Sequence, residues 1–136
     1  MLESTLVERI ERHFEGGPLK VFREVPFLHR RIDLVAFDES RDRVITIEAK
    51  IKNWRVAVRQ AQICLLCSDE VYMAIPEESL KRVNKALLTA QGIGLIVVGD
   101  DVEVLLKPGY SHLKHSFHSD WMLSLLREMT ACERDQ

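Results

Sequence analysis

Apolar residues recur at Leu6, Val7, Ile10 and Phe14, the spacing of one helix face, and Gly16-Gly17-Pro18 ends that run. Three segments then read as strands: LKVFREV, RRIDLVAF and RVITIEAK, separated at Pro26 and at the polar turn DESRD. From Trp54 to Cys67 neither Gly nor Pro intervenes, and the apolar positions Trp54, Val58, Ile63, Leu65 and Leu66 predict a helix. VYMAIP is a short apolar strand ending at Pro76, and Glu77 to Ala90 reads as a helix with Leu80, Val83 and Leu87 on one face. GIGLIVVG has the continuous apolar character of a buried strand, DVEVLLKP follows it as another, and a last helix runs through WMLSLLREM. The order α-β-β-β-α-β-α-β-β-α, with three antiparallel strands followed by a helical crossover into a parallel one, predicts an α/β fold. Its mixed central sheet carries helices on its faces. No repeat, low-complexity tract or linker divides residues 1–136, so one domain is expected.

Composition narrows the class. The chain has 136 residues, 46% hydrophobic and 29% charged, in the range of an ordinary globular domain. No apolar run approaches the roughly 20 residues of a membrane-spanning helix. The first segment carries four glutamates and lacks the layout of a signal peptide. A cytoplasmic location is therefore expected, with no membrane partner. Cys64, Cys67 and Cys132 form an odd set without a secreted-type framework. Cys64 and Cys67 spell C-x-x-C, but no second pair completes a zinc site, and buried structural thiols are expected over metal or redox roles. The net charge of −2 does not advertise a nucleic-acid binder, yet its distribution is uneven. Residues 20–60 hold ten Lys/Arg against six Asp/Glu, and residues 61–136 hold seven against eleven.

The basic half also holds the candidate chemistry. Fourteen residues separate Asp33, on the second strand, from Glu48 in I-E-A-K on the third. Strand side chains alternate, so Glu48 and Lys50 are expected to point the same way, and a tight hairpin sets Asp33 beside them. Two carboxylates sharing an apolar sheet repel one another and are costly to bury. A divalent cation resolves the conflict, and hard oxygen ligands suit Mg²⁺ or Mn²⁺. Asp33, Glu48 and the backbone carbonyl of Ala49 are the candidate metal ligands. Lys50 would orient the attacking water or stabilise charge on phosphate. A salt bridge on a solvated sheet face is the other reading of an E-x-K.

In this context the chain resembles the PD-(D/E)XK nuclease superfamily, particularly its restriction-endonuclease-like and Holliday-junction-resolvase-like members. Their α-β-β-β-α-β core carries Asp on the second strand and (D/E)-x-K on the third, the slots of Asp33 and Glu48-Ala49-Lys50. Ile32 stands where the family name has proline. The likeness covers residues 1 to about 76 and implies a restriction-endonuclease-like three-layer fold. It also implies a glutamine on the following helix, for which Gln60 is the better match and Gln62 the second. A glutamate on the first helix, reaching the metal through water, matches Glu3, which shares the stripe of Leu6, Val7 and Ile10. The activity implied is metal-dependent hydrolysis of phosphodiester bonds in DNA, although the superfamily includes members that no longer cut.

Arg30, Arg31, Lys52, Arg55 and Arg59 flank the site and are candidate phosphate contacts, or plain solvated charges. Trp54 is a base-stacking candidate, with a core position at the helix start as the alternative. His112, His115 and His118 recur every third residue in a polar segment, as transition-metal ligands or as three unrelated imidazoles of an exposed loop. A unit this small, cutting one strand per protomer, is compatible with a homodimer. The expected function is a Mg²⁺-dependent (or Mn²⁺-dependent) nuclease; the rival is a non-catalytic relative that binds DNA or assembles with protein.

Overall fold

A computed structural model describes residues 1–135. Helix α1 spans Glu3–Phe14 and buries Leu6 and Ile10 completely, as its apolar stripe requires. Strands β1 (Lys20–Phe27), β2 (Arg30–Asp38) and β3 (Arg43–Ala49) form an antiparallel meander. Helix α2 (Trp54–Cys64) crosses to β4 (Glu70–Pro76), which is parallel to β3. A 3-10 helix (Glu77–Arg82) and α3 (Lys85–Gln91) lead to β5 (Gly94–Val98), parallel to β4, and β6 (Val102–Leu106) turns back antiparallel. Helix α4 (Ser116–Arg134) follows. The result is an α/β fold built on one mixed six-stranded sheet, in the order β1-β2-β3-β4-β5-β6.

Alternation along the strands divides the core in two. Leu34, Ala36, Ile45, Ile47, Ala49, Ala74, Ile96 and Val98 pack with Leu6 and Ile10 of α1. On the other face Val35, Phe37, Val71, Met73, Ile75, Leu95 and Val97 meet Ala57, Val58, Ala61 and Cys64 of α2, Leu88 of α3, and Met122 and Leu126 of α4. Helices thus cover both faces, and β1 and β6 are the edges.

Several boundaries differ from the sequence reading, each for a local reason. Pro26 lies inside β1 and ends nothing. An edge strand tolerates a residue without an N–H, and Pro26 is exposed there. The reversal comes at Leu28-His29, with Leu28 in the left-handed region (φ 56°). The single helix expected over 77–90 is broken at Val83, which is extended. Asn84 then starts α3 by accepting a hydrogen bond from the Leu87 N–H at 3.1 Å. Helix α2 stops at Cys64 rather than Cys67, and α4 begins at Ser116, taking in His118. Among the described residues no helix is long and apolar enough to cross a membrane.

Candidate functional site

The site sits where the β2–β3 ladder ends. The last bridged pair is Leu34↔Ile47, so the next positions in register are Asp33 and Glu48. Residues opposite one another in an antiparallel pair share a face. The backbones do not bridge there. Instead Asp33 Oδ2 accepts a hydrogen bond from the Ala49 N–H at 2.8 Å, so a carboxylate replaces the carbonyl that would have continued the ladder. Across the other edge of β2, Glu24 breaks the β1 ladder opposite Asp33 and is itself left-handed (φ 55°). Both neighbours of Asp33 are therefore irregular, which frees its side chain for a partner on β3.

Among the described residues Glu48 is the most deeply buried acidic side chain. Its side chain is 0% exposed and faces α2, where the Cys64 Sγ lies 3.7 Å from Oε1. Arg30, at the start of β2, grips both carboxylate oxygens, with Nη1 at 2.5 Å from Oε1 and Nη2 at 3.0 Å from Oε2. This is the two-pronged geometry in which guanidinium and carboxylate bind best. Burial nevertheless dominates and pushes the Glu48 carboxyl up to about 7; the Arg30 hydrogen bond pulls it down and the neighbouring Asp33 charge raises it again. The guanidinium of Arg30 is held in its charged form chiefly by its hydrogen bond to Glu48.

Of the other sequence-predicted residues, one departs from its expected direction and one has a partner the sequence did not suggest. Lys50 does not turn towards Glu48. Strand β3 ends at Ala49, and the Lys50 ammonium reaches instead to Glu3 of α1, 3.6 Å away, on the side of the sheet opposite α2. Arg30, expected to contact phosphate, is committed to Glu48. Its own strand carries it three residues past Asp33 to the mouth of the buried carboxylate, a signal that lay in register and not in local composition. Glu3 is therefore paired with Lys50 and not with the Asp33–Glu48 carboxyls. Gln60 is half-buried on α2, one turn before Cys64, whereas Gln62 is exposed and bonds Gln91 at 2.7 Å. Arg31, Lys52, Arg55 and Arg59 are exposed.

Asp33 and Glu48 are thus two carboxyls brought together at one point of the sheet. Among the described residues, no three His, Cys, Asp or Glu side chains converge as a metal-holding group. Two carboxylates and one carbonyl still make a set that Mg²⁺ accepts, since it keeps several waters and takes the rest from substrate. The residues fit such an ion on one condition: Arg30 now satisfies both oxygens of Glu48 and must let go.

Cys64 and Cys67 are buried, and burial pushes the Cys67 thiol up to about 11 and Cys64 well above the ordinary thiol range. Both therefore stay protonated at neutral pH, while Cys132 is exposed. His115 and His118 come together with ring centroids 5.3 Å apart, but His118 is turned into α4 and edges against Phe27. Trp54 is half-buried against the α2-side core, with the Arg55 guanidinium over its ring at 4.8 Å.

Comparison with family models and with curated proteins finds no match. Among solved structures, the chain is similar to a protein of unknown function from Silicibacter pomeroyi. The TM-score is 0.64 at 20% identity, over 96% of this chain and 94% of that one. At that identity the likeness speaks for the fold alone.

Proposed function

We propose that this chain is a divalent-metal-dependent phosphodiesterase acting on DNA, with a restriction-endonuclease-like fold and its site at Asp33, Glu48 and Lys50. One observation carries the reading: two facing carboxyls, one fully buried and held at about 7, at the end of a ladder that a side chain has interrupted. A carboxyl this perturbed lowers stability without an evident structural return, and such groups cluster at functional sites.

Asp33, Glu48 and the Ala49 carbonyl would hold Mg²⁺ or Mn²⁺. When bound, the ion would supply a polarised phosphoryl oxygen and a water acidified enough to attack it. Asp33 is already positioned by the Ala49 N–H. Lys50, released from a loose pair with the exposed Glu3, would have to swing round the end of β3 to stabilise the charge developing on the phosphate. Arg30 acts as an internal cation that keeps Glu48 neutralised until a metal and a phosphate arrive; freed, it becomes a donor to the phosphate. Gln60 lies on the α2 side, where it would help orient the water. Such a unit would act on the two strands of a duplex as a homodimer.

The same Arg30–Glu48 pair favours a second reading. A carboxylate already bound on both oxygens needs no metal, which suits a non-catalytic relative that binds DNA or assembles with protein.

Cleavage assays on linear, nicked, branched and single-stranded DNA, in Mg²⁺ and in Mn²⁺, separate the two. Catalysis predicts cutting by wild type, abolished by Asp33→Asn, Glu48→Gln or Lys50→Ala. The losses should not add, because the three act as a unit. Intact DNA on all substrates, together with a melting temperature that ignores both cations, would leave the non-catalytic reading.

A further inference from the structure

A cavity of about 650 Å³ opens between the start of α2 and the end of the 3-10 helix Glu77–Arg82, lined by Asn53, Trp54, Arg55, Val56, Arg59 and Arg82. Its size is within the range of ligand pockets for small molecules. Three of its six lining residues are arginines, and no carboxylate is among them. Arg55 and Arg59 stand one turn apart on α2, and Arg82 is brought across from a different element. Among the described residues none of the three forms an ion pair. Of the other nine arginines, Arg12, Arg23, Arg30, Arg41, Arg43, Arg127 and Arg134 do, while Arg9 and Arg31 do not. Convergent, uncompensated guanidinium groups repel one another, and an oxyanion between them removes that repulsion.

The cavity is also built and not merely crowded. Ser79 Oγ donates to the Ile51 carbonyl at 2.9 Å, fastening the 3-10 helix that carries Arg82 to the loop between β3 and α2. That loop begins at Lys50, so the cavity adjoins the Asp33–Glu48 site along the chain. The first turn of α2 has no acidic residue, and its free backbone N–H groups add to the positive potential. Trp54 gives the wall a flat apolar face.

We propose that this cavity is a phosphate-binding site, clamped by Arg55, Arg59 and Arg82, that seats a phosphate of nucleic acid or of a free nucleotide beside the candidate active site. The proposal deepens the nuclease reading and rests on it for the choice of nucleotide phosphate as ligand. The oxyanion chemistry rests on the arginines alone.

Binding is measured in EDTA, so that cleavage plays no part, with the full chain and three probes: a fluorescein-labelled oligonucleotide, a mononucleotide, and inorganic phosphate. Arg59→Gln and Arg82→Gln should each weaken binding about tenfold, the scale of one lost charge-assisted contact. Each should also lower the slope of log affinity against log salt by about 0.7 to 0.9, the value of one phosphate contact. Arg12→Gln, which removes the same charge from the exposed face of α1, should bind as wild type does. Saturation by the mononucleotide and phosphate without the oligonucleotide would identify a free nucleotide as the source; saturation by all three would identify the backbone. Wild-type affinity and salt slope in both Arg59→Gln and Arg82→Gln would overturn the proposal, even in a chain that cuts DNA. Arginine-dependent binding in a chain that cuts nothing would keep the site and remove hydrolysis.

Discussion

Removing Arg30 tests how the buried Glu48 is tolerated. Arg30→Met keeps most of the side-chain length and strips the charge. Glu48, 0% exposed in the intact pair, then loses its only cation, with the Cys64 thiol 3.7 Å away and the Asp33 carboxylate beside it. The pair has two charge-assisted hydrogen bonds, each worth about 1.5–3 kcal/mol, and breaking one side of a buried pair costs about 3–5 kcal/mol. Arg30 keeps 23% of its side-chain surface in water, so the lower end applies, about 3 kcal/mol at pH 8.5. The pH dependence sharpens the test. A carboxyl whose folded value is raised from 4.5 to about 7 favours folding fully below pH 4.5 and loses that contribution as pH rises through 7. That difference amounts to about 3 kcal/mol, so wild type should be less stable at pH 8.5 than at pH 5, and Glu48→Gln should remove this slope. In Arg30→Met the orphaned carboxyl takes up a proton more readily still, so the mutation should cost about 1 kcal/mol at pH 5, where Glu48 is already neutral. Urea denaturation followed by Trp54 and Trp121 fluorescence, at both pH values, measures wild type, both single variants and the double variant. The expected coupling at pH 8.5 is about 2 kcal/mol or more. A coupling below about 0.5 kcal/mol, or an Arg30→Met cost that is the same at both pH values, would refute the reasoning.

Two further substitutions test the local geometry. Asp33→Asn keeps an oxygen for the Ala49 N–H while removing the charge beside Glu48, so in EDTA at pH 8 it should stabilise by about 1 kcal/mol, whereas Asp33→Ala should destabilise by at least as much. Thermal melts that place Asp33→Asn below wild type would sink the account of carboxylate repulsion. At Gly94 a Cβ would sit 2.7 Å from Tyr72 Cδ1 and 2.9 Å from both the Leu106 carbonyl oxygen and Pro108 Cδ. Gly94→Ala should therefore cost about 1–3 kcal/mol through overpacking, and an unchanged melting temperature would contradict it.

The order of elements was legible because it rests on local signals: the stripe of Leu6 and Ile10, the apolar run of β5 and the alternation in β3. The positions of Asp33 and Glu48 at facing points of one hairpin follow from the same alternation. What escaped was set by tertiary context. Pro26 reads as a breaker in sequence and is harmless only because β1 is an edge. The turn of Lys50 towards Glu3 follows from β3 ending one residue earlier, a boundary that periodicity does not resolve. The Arg30–Glu48 pair joins residues eighteen apart, and nothing in the composition around Arg30 marks it as the inward-facing member of Arg30-Arg31. Arg82 belongs to the arginine-lined cavity only because the segment 77–90 breaks at Val83.

The strand order of the sheet also bears on how the chain reaches this state. Every strand lies beside its sequence neighbour, and the hairpin ladders β1–β2, β2–β3 and β5–β6 close over short stretches of chain with little loss of loop entropy, whereas the two parallel ladders must span a helix. The hairpins are thus the ladders that can form first. Arg30, Asp33 and Glu48 all belong to the β2–β3 hairpin, which can form before α2 has anything to dock against. The carboxyl of Glu48 would then lose its water only when Cys64 arrives with α2, by which time Arg30 is already in reach. An ion pair that would be costly to assemble inside a finished core is, on this route, made in water and enclosed afterwards.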